Sequence, residues 1–120
     1  MAWLGFWALS PAHAAGAADA MLAEVSSALA AGKYEEVVAV SSSGLAETDV
    51  TNLTRGRLLI VRGLARQALG TNDDALADFT QGLSITALPS QERARALFAR
   101  GVSLDSLNRL SDAAGDYGAV

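Results

Sequence analysis

The chain predicts an all-α fold, a solenoid of helical hairpins running to about two and a half to three repeats of 38 residues. Three observations predict it. Half of the 120 residues are hydrophobic, alanine supplies much of that share, and only two prolines interrupt the chain, which favours close-packed helices over sheet. Apolar residues recur at helical spacing between glycine-containing turns. Sliding the chain against itself gives one strong offset, 38 residues, that lays Arg62-Gly63 on Arg100-Gly101, Leu69 on Leu107, Asp74-Ala75 on Asp112-Ala113, Asp78 on Asp116 and Phe79 on Tyr117. The same step backwards lays Gly32 on Gly70, Glu35-Glu36 on Asp73-Asp74, and Gly44-Leu45 on Gly82-Leu83. The repeat domain is therefore expected over 17–120, in units of about 18–55, 56–93 and 94–120, the last one truncated.

The first fourteen residues read differently. Trp3-Leu4-Gly5-Phe6-Trp7-Ala8-Leu9 is an apolar run of seven, followed by Ala12-His13-Ala14 in the small-x-small form that a signal peptidase accepts. Such a run is too short to cross a bilayer core about 30 Å thick as a helix. A signal peptide over 1–14, cleaved near Ala14, predicts a periplasmic or secreted protein, although the usual basic residues at its start are missing. If the segment is uncleaved, it is the chain's one expected contact with a membrane.

Within a unit the pattern is helix, tight turn, helix. In the second unit Leu58, Leu59, Val61, Leu64, Ala65, Ala68 and Leu69 form an apolar stripe ended by Gly70, the residue best suited to a left-handed helix end. Thr71 then supplies a cap, with capping-box spacing to Asp74 and acidic residues where a helix N-terminus favours them. Ala75, Leu76, Phe79 and Leu83 define the buried face of the second helix. Pro89-Ser90 stops the unit and caps the first helix of the next.

On these residues the chain resembles the tetratricopeptide repeat (TPR) family. The family's two-helix unit carries a bulky apolar residue and a small one on its first helix, a glycine at the turn, then alanine, an aromatic and a small residue. Leu59, Gly63, Gly70, Ala75, Phe79 and Gly82 match those roles in the second unit, and Leu97, Gly101, Ala113 and Tyr117 in the third. The first unit departs, with Val37 for the alanine and Ser41 for the aromatic, and resembles the family through Ala-Gly-Lys-Tyr-Glu-Glu at 31–36. The period also departs: 38 residues here against about 34 in the family. About one extra helical turn is thus expected near Thr48 to Thr54 and Thr86 to Glu92, as longer connections or longer helices. The resemblance implies a right-handed solenoid whose concave groove, lined by first helices, takes a protein or peptide partner. Carried over by position, the groove residues are Arg57, Ile60, Leu64 and Gln67 in the second unit. In the third they are Arg95, Phe98, Val102 and Asp105, with Phe98 the natural anchor. The Lys and Asn positions with which some TPR domains clamp a carboxylate are apolar here.

Charge and composition exclude other classes. A net charge of −4, a pI near 4.7 and no run of Lys or Arg leave no footprint for nucleic acid. With no cysteine, disulfides, thiolate catalysis and cysteine-bound zinc are ruled out, and the single histidine, His13, falls in the expected signal. Glu35-Glu36 and Asp73-Asp74 begin helices, where the dipole explains them, and Ser41-Ser42-Ser43-Gly44 lacks the Gly-x-Ser-x-Gly elbow and reads as a polar face near a helix end. No catalytic residue, cofactor or metal site is expected. One pattern remains: Arg62 and Arg100 stand on first helices, each sixteen residues before Asp78 and Asp116 on the second. In the first unit Glu24 and Val40 replace both partners together, so the arginine and aspartate are expected to pair across each hairpin, the alternative being two solvated charges at an edge.

The sequence ends within the third unit's second helix without a capping element. Leu107, Leu110 and Tyr117 are therefore expected to form an open docking face, through which the chain could self-associate. The functional expectation is a non-catalytic, exported scaffold or adaptor of TPR type. Its rival is an accessory repeat domain at the N-terminal end of a larger enzyme or envelope machine.

Overall fold

The computed structural model describes the backbone of residues 2–120 and the side chains of residues 16–120, so the side chains of the expected signal at 1–14 lie outside the described residues. Among the described residues the chain is entirely helical: α1 (Ala2–Ala30), α2 (Tyr34–Leu45), α3 (Asn52–Ala68), α4 (Asn72–Leu83), α5 (Ser90–Ser106) and α6 (Leu110–Ala119). The organisation is repeat-like. α2, α4 and α6 begin at residues 34, 72 and 110, and α3 and α5 begin at 52 and 90, in steps of 38. The extra length over a shorter hairpin lies in both expected places, in 17-residue first helices and in the connections 46–51 and 84–89. Helix starts at Asn52 and Ser90 place the hairpin boundaries earlier than the 56 and 94 read from the sequence.

The turns inside the hairpins share one geometry. Gly32, Gly70 and Asn108 have φ of 76°, 84° and 61°. After each, the next amide reaches back five residues: Lys33 N to Ala28 O, Thr71 N to Arg66 O and Arg109 N to Leu104 O, at 2.8 to 2.9 Å. This is the Schellman arrangement, which satisfies orphan carbonyls at a helix end. The expected capping box does not form. Thr71 makes no side-chain cap bond, because its hydroxyl donates to Arg66 O at 2.9 Å and so serves the preceding helix. Ser90 is the first residue of α5 and caps nothing, whereas Thr51 Oγ1 accepts from Thr54 N at 3.2 Å and does cap α3.

Packing follows chain order, α1 on α2, α2 on α3, α3 on α4, α4 on α5 and α5 on α6. First helices also meet across units, α1 on α3 and α3 on α5, while among the described residues the second helices do not touch each other. Close approach within a hairpin depends on an aromatic ring facing a glycine. A Cβ on Gly63 would stand 2.6 Å from the Phe79 ring, and one on Gly101 2.5 Å from the Tyr117 ring. At the corresponding positions of the first unit stand Val25 and Ser41, both fully buried, so bulk has moved from the second helix to the first. Ser41 is thus a core residue, not part of a polar face. Ala68 and Leu69, by contrast, end exposed although the stripe includes them.

Candidate functional site

The charged residues expected to pair do so. Arg62 donates through Nε and Nη2 to both oxygens of Asp78, at 3.0 and 2.8 Å, and Arg100 grips Asp116 in the same way at 2.7 Å twice. The third donor of each arginine points to the preceding unit's second helix. Arg62 Nη1 lies 3.1 Å from Ser42 Oγ, and Arg100 Nη1 lies 3.5 Å from Thr80 Oγ1. One planar guanidinium thereby ties three helices, a use for which a fork of fixed geometry is suited and an ammonium is not. The Asp116 hydrogen bonds raise the pKa of Arg100. Asp78 also accepts from Arg66 Nη1 at 2.9 Å, a bond with no counterpart in the third unit, where Leu104 takes the place of Arg66.

A second recurring link joins first helices. Thr54 Oγ1 donates to Asp19 Oδ1 at 2.6 Å, and Arg57 donates to both oxygens of Glu92 at 2.8 and 2.9 Å. Asp19 and Arg57 occupy equivalent repeat positions, as do Thr54 and Glu92. Arg57's hydrogen bonds hold the Glu92 carboxyl below the usual carboxylate range, and Glu92 raises Arg57 in turn. A lowered folded-state pKa means that the link's stabilisation is present above the ordinary carboxylate range and is lost as pH falls through the lowered value. About a third of each side chain is exposed, so the link is worth at most about 1 kcal/mol.

Seven of the eight sequence-predicted residues line two adjoining, largely apolar grooves on the first-helix side. Arg57, Ile60, Leu64 and Arg95 belong to a groove of about 410 Å³, and Leu64, Gln67, Arg95, Phe98 and Val102 to one of about 510 Å³. Their availability differs. Arg57 is held by Glu92, and Gln67 donates to Ala99 O at 2.7 Å and to Ser103 Oγ at 2.9 Å, so both fasten α3 to α5. Asp105 lines neither groove and accepts from the Tyr117 hydroxyl at 2.8 Å, which raises the pKa of that phenol. Phe98 is 58% exposed, its ring centroid 5.6 Å from that of Tyr117. Among the described residues Arg95 makes neither an ion pair nor a hydrogen bond, and it lines both grooves.

The first groove also holds Leu22, Ser26 and Leu29 of α1, which the sequence reading left out. They lie one repeat step before Ile60, Leu64 and Gln67, so applying the 38-residue offset once more would have found them. Of the residues expected at an open end face, Leu110 is exposed, but Leu107 is half-buried and Tyr117 is committed to Gly101 and Asp105. Glu35, Glu36, Asp73 and Asp74 stand exposed in the first turns of α2 and α4. Among the described residues no helix is long and apolar enough to cross a membrane. Comparison with protein-family models, curated proteins and solved structures returns no match to this chain.

Proposed function

We propose that the chain is a non-catalytic scaffold or adaptor of tetratricopeptide type, a right-handed solenoid that takes a protein or peptide partner on its first-helix side. The observation that carries the reading is the meeting of Ile60, Leu64, Arg95, Phe98 and Val102 in adjoining apolar grooves. First helices touch across units and second helices do not, which draws the stack tighter on that side and favours a concave face there. A surface of exposed aromatic and aliphatic groups with a few polar ones suits a peptide or helix. The Ala12-His13-Ala14 site supports action outside the cytoplasm, with a mature N-terminus at Ala15 that N-terminal sequencing of the processed chain would identify.

The test is selection of binders from a random peptide library on the full chain, followed by affinity measurement against Phe98→Ala and Leu64→Ala chains. Phe98 is exposed, so its substitution leaves the fold intact, and loss of a central aromatic anchor is expected to weaken selected peptides roughly 30-fold. Peptides that bind both variants as well as the parent would remove the groove from consideration.

A further inference from the structure

The seating of α5 on α3 is a template for what the next face along, that of α5 itself, can accept. Three features receive α5, two on α3 and one shared with α4: Arg57 takes Glu92, the cluster of Ile60 and Leu64 with Phe79 of α4 takes Ala99, and Gln67 takes Ser103. One repeat step later the same positions read Arg95, then Phe98, Val102 and Tyr117, then Asp105. Arg95 and Phe98 are exposed, and the groove of about 510 Å³ that they share with Val102 also holds Val120, itself 60% exposed. Glu92, one helical turn before Arg95, turns both carboxylate oxygens to Arg57 and makes no hydrogen bond or ion pair with Arg95, which it meets only through longer-range charge.

We propose that this face of α5 binds an amphipathic helix of a partner protein, lying parallel to α5 as α5 lies on α3. The helix presents a carboxylate to Arg95, a small apolar residue seven positions later to Phe98 and Val102, and a hydroxyl or basic side chain eleven positions after the carboxylate to Asp105. The spacing is that of Glu92, Ala99 and Ser103. Direction is set by charge. Arg95 and Asp105 lie ten residues apart, about 15 Å along the helix, so a helix docked in reverse would set its carboxylate against Asp105. A second copy stacked head to tail meets this template at Ala23 and Ser27 of α1 but has Gly16 where Glu92 stands, so it offers Arg95 no carboxylate at that position and is the poorer match. The proposal rests on the interaction-module reading and adds the partner's chemistry and orientation.

The probe is a stapled helical peptide with the sequence of residues 90–106, which carries the required carboxylate, alanine and serine. It is titrated into the full chain and followed by amide chemical shifts. The expected result is perturbation at Arg95, Phe98, Val102 and Val120, an affinity loss of roughly 10- to 100-fold in an Arg95→Glu chain, and recovery when the peptide's glutamate becomes arginine. Perturbation centred on Leu22, Leu29 and Ile60, with no effect of Arg95→Glu, would overturn the proposal while leaving the groove reading in place. Absence of binding to millimolar peptide overturns it as well, and if library selection also yields nothing the module reading falls with it. Self-association of the chain abolished by Arg95→Glu would give the face to a second copy instead.

Discussion

Two buried serines at the residue scale make opposite predictions from the same chemistry. Ser41 is fully buried and its hydroxyl has no hydrogen-bond partner among the described residues, whereas the equally buried Ser103 accepts from Gln67 Nε2 at 2.9 Å. Burying an unsatisfied hydroxyl costs about 1–3 kcal/mol, while a satisfied one returns about 1 kcal/mol. Ser41→Ala is therefore expected to stabilise the chain by about 1 kcal/mol and Ser103→Ala to destabilise it by a similar amount. Chemical denaturation reads both; destabilisation by Ser41→Ala would mean that its hydroxyl is satisfied after all. Ser41 was also where sequence reading misled, because three serines in a row look like a solvated edge. The offset held the correction, since Ser41 falls on Phe79 and Tyr117, positions that face the partner helix.

Glycine separates the turn from the helix contact at the scale of the element. Gly70 has φ of 84° and nothing within 4 Å of where a Cβ would stand, so Gly70→Ala meets only the backbone's left-handed cost, about 1 kcal/mol. Gly63 lies in mid-helix with the Phe79 ring 2.6 Å from where a Cβ would be, so Gly63→Ala must push two helices apart, at about 1–3 kcal/mol. A double-mutant cycle with Phe79→Leu discriminates between them: the smaller side chain is expected to relieve Gly63→Ala and to add independently to Gly70→Ala. Equal coupling for both glycines would remove the steric account. The helices, the turns at Gly32 and Gly70 and the Arg62–Asp78 and Arg100–Asp116 pairs were legible because their residues recur at the 38-residue step, whereas the third turn keeps the geometry with Asn108 in glycine's place. The link between first helices was not, because Asp19–Thr54 becomes Arg57–Glu92 at the next step: the geometry repeats while the chemistry changes. The Thr71 cap failed for a third reason, a competing carbonyl at the end of the preceding helix that spacing alone does not reveal.

Position in the stack decides how far a local loss spreads through the whole molecule. Asp78 and Asp116 hold equivalent arginines, yet Asp78 accepts from two of them and belongs to α4, which packs on both α3 and α5. Asp116 accepts from one and belongs to α6, which packs on α5 alone among the described helices and buries little beyond Ala113 and itself. When each hairpin contacts its sequence neighbours, stability is close to a sum of unit and interface contributions, and an end unit can open without the rest. Asp78→Ala leaves Arg62 and Arg66 uncompensated between three helices and is expected to lower global stability by about 3 kcal/mol or more. Asp116→Ala removes the one ion pair that holds α6, so amide exchange is expected to accelerate in α6 and the adjoining end of α5. Exchange in α2 and α3 should then remain at parent rates. Hydrogen exchange resolved by residue distinguishes the two cases, and equal acceleration in α3 and α6 on Asp116→Ala would show one cooperative unit in place of a stack of separable hairpins.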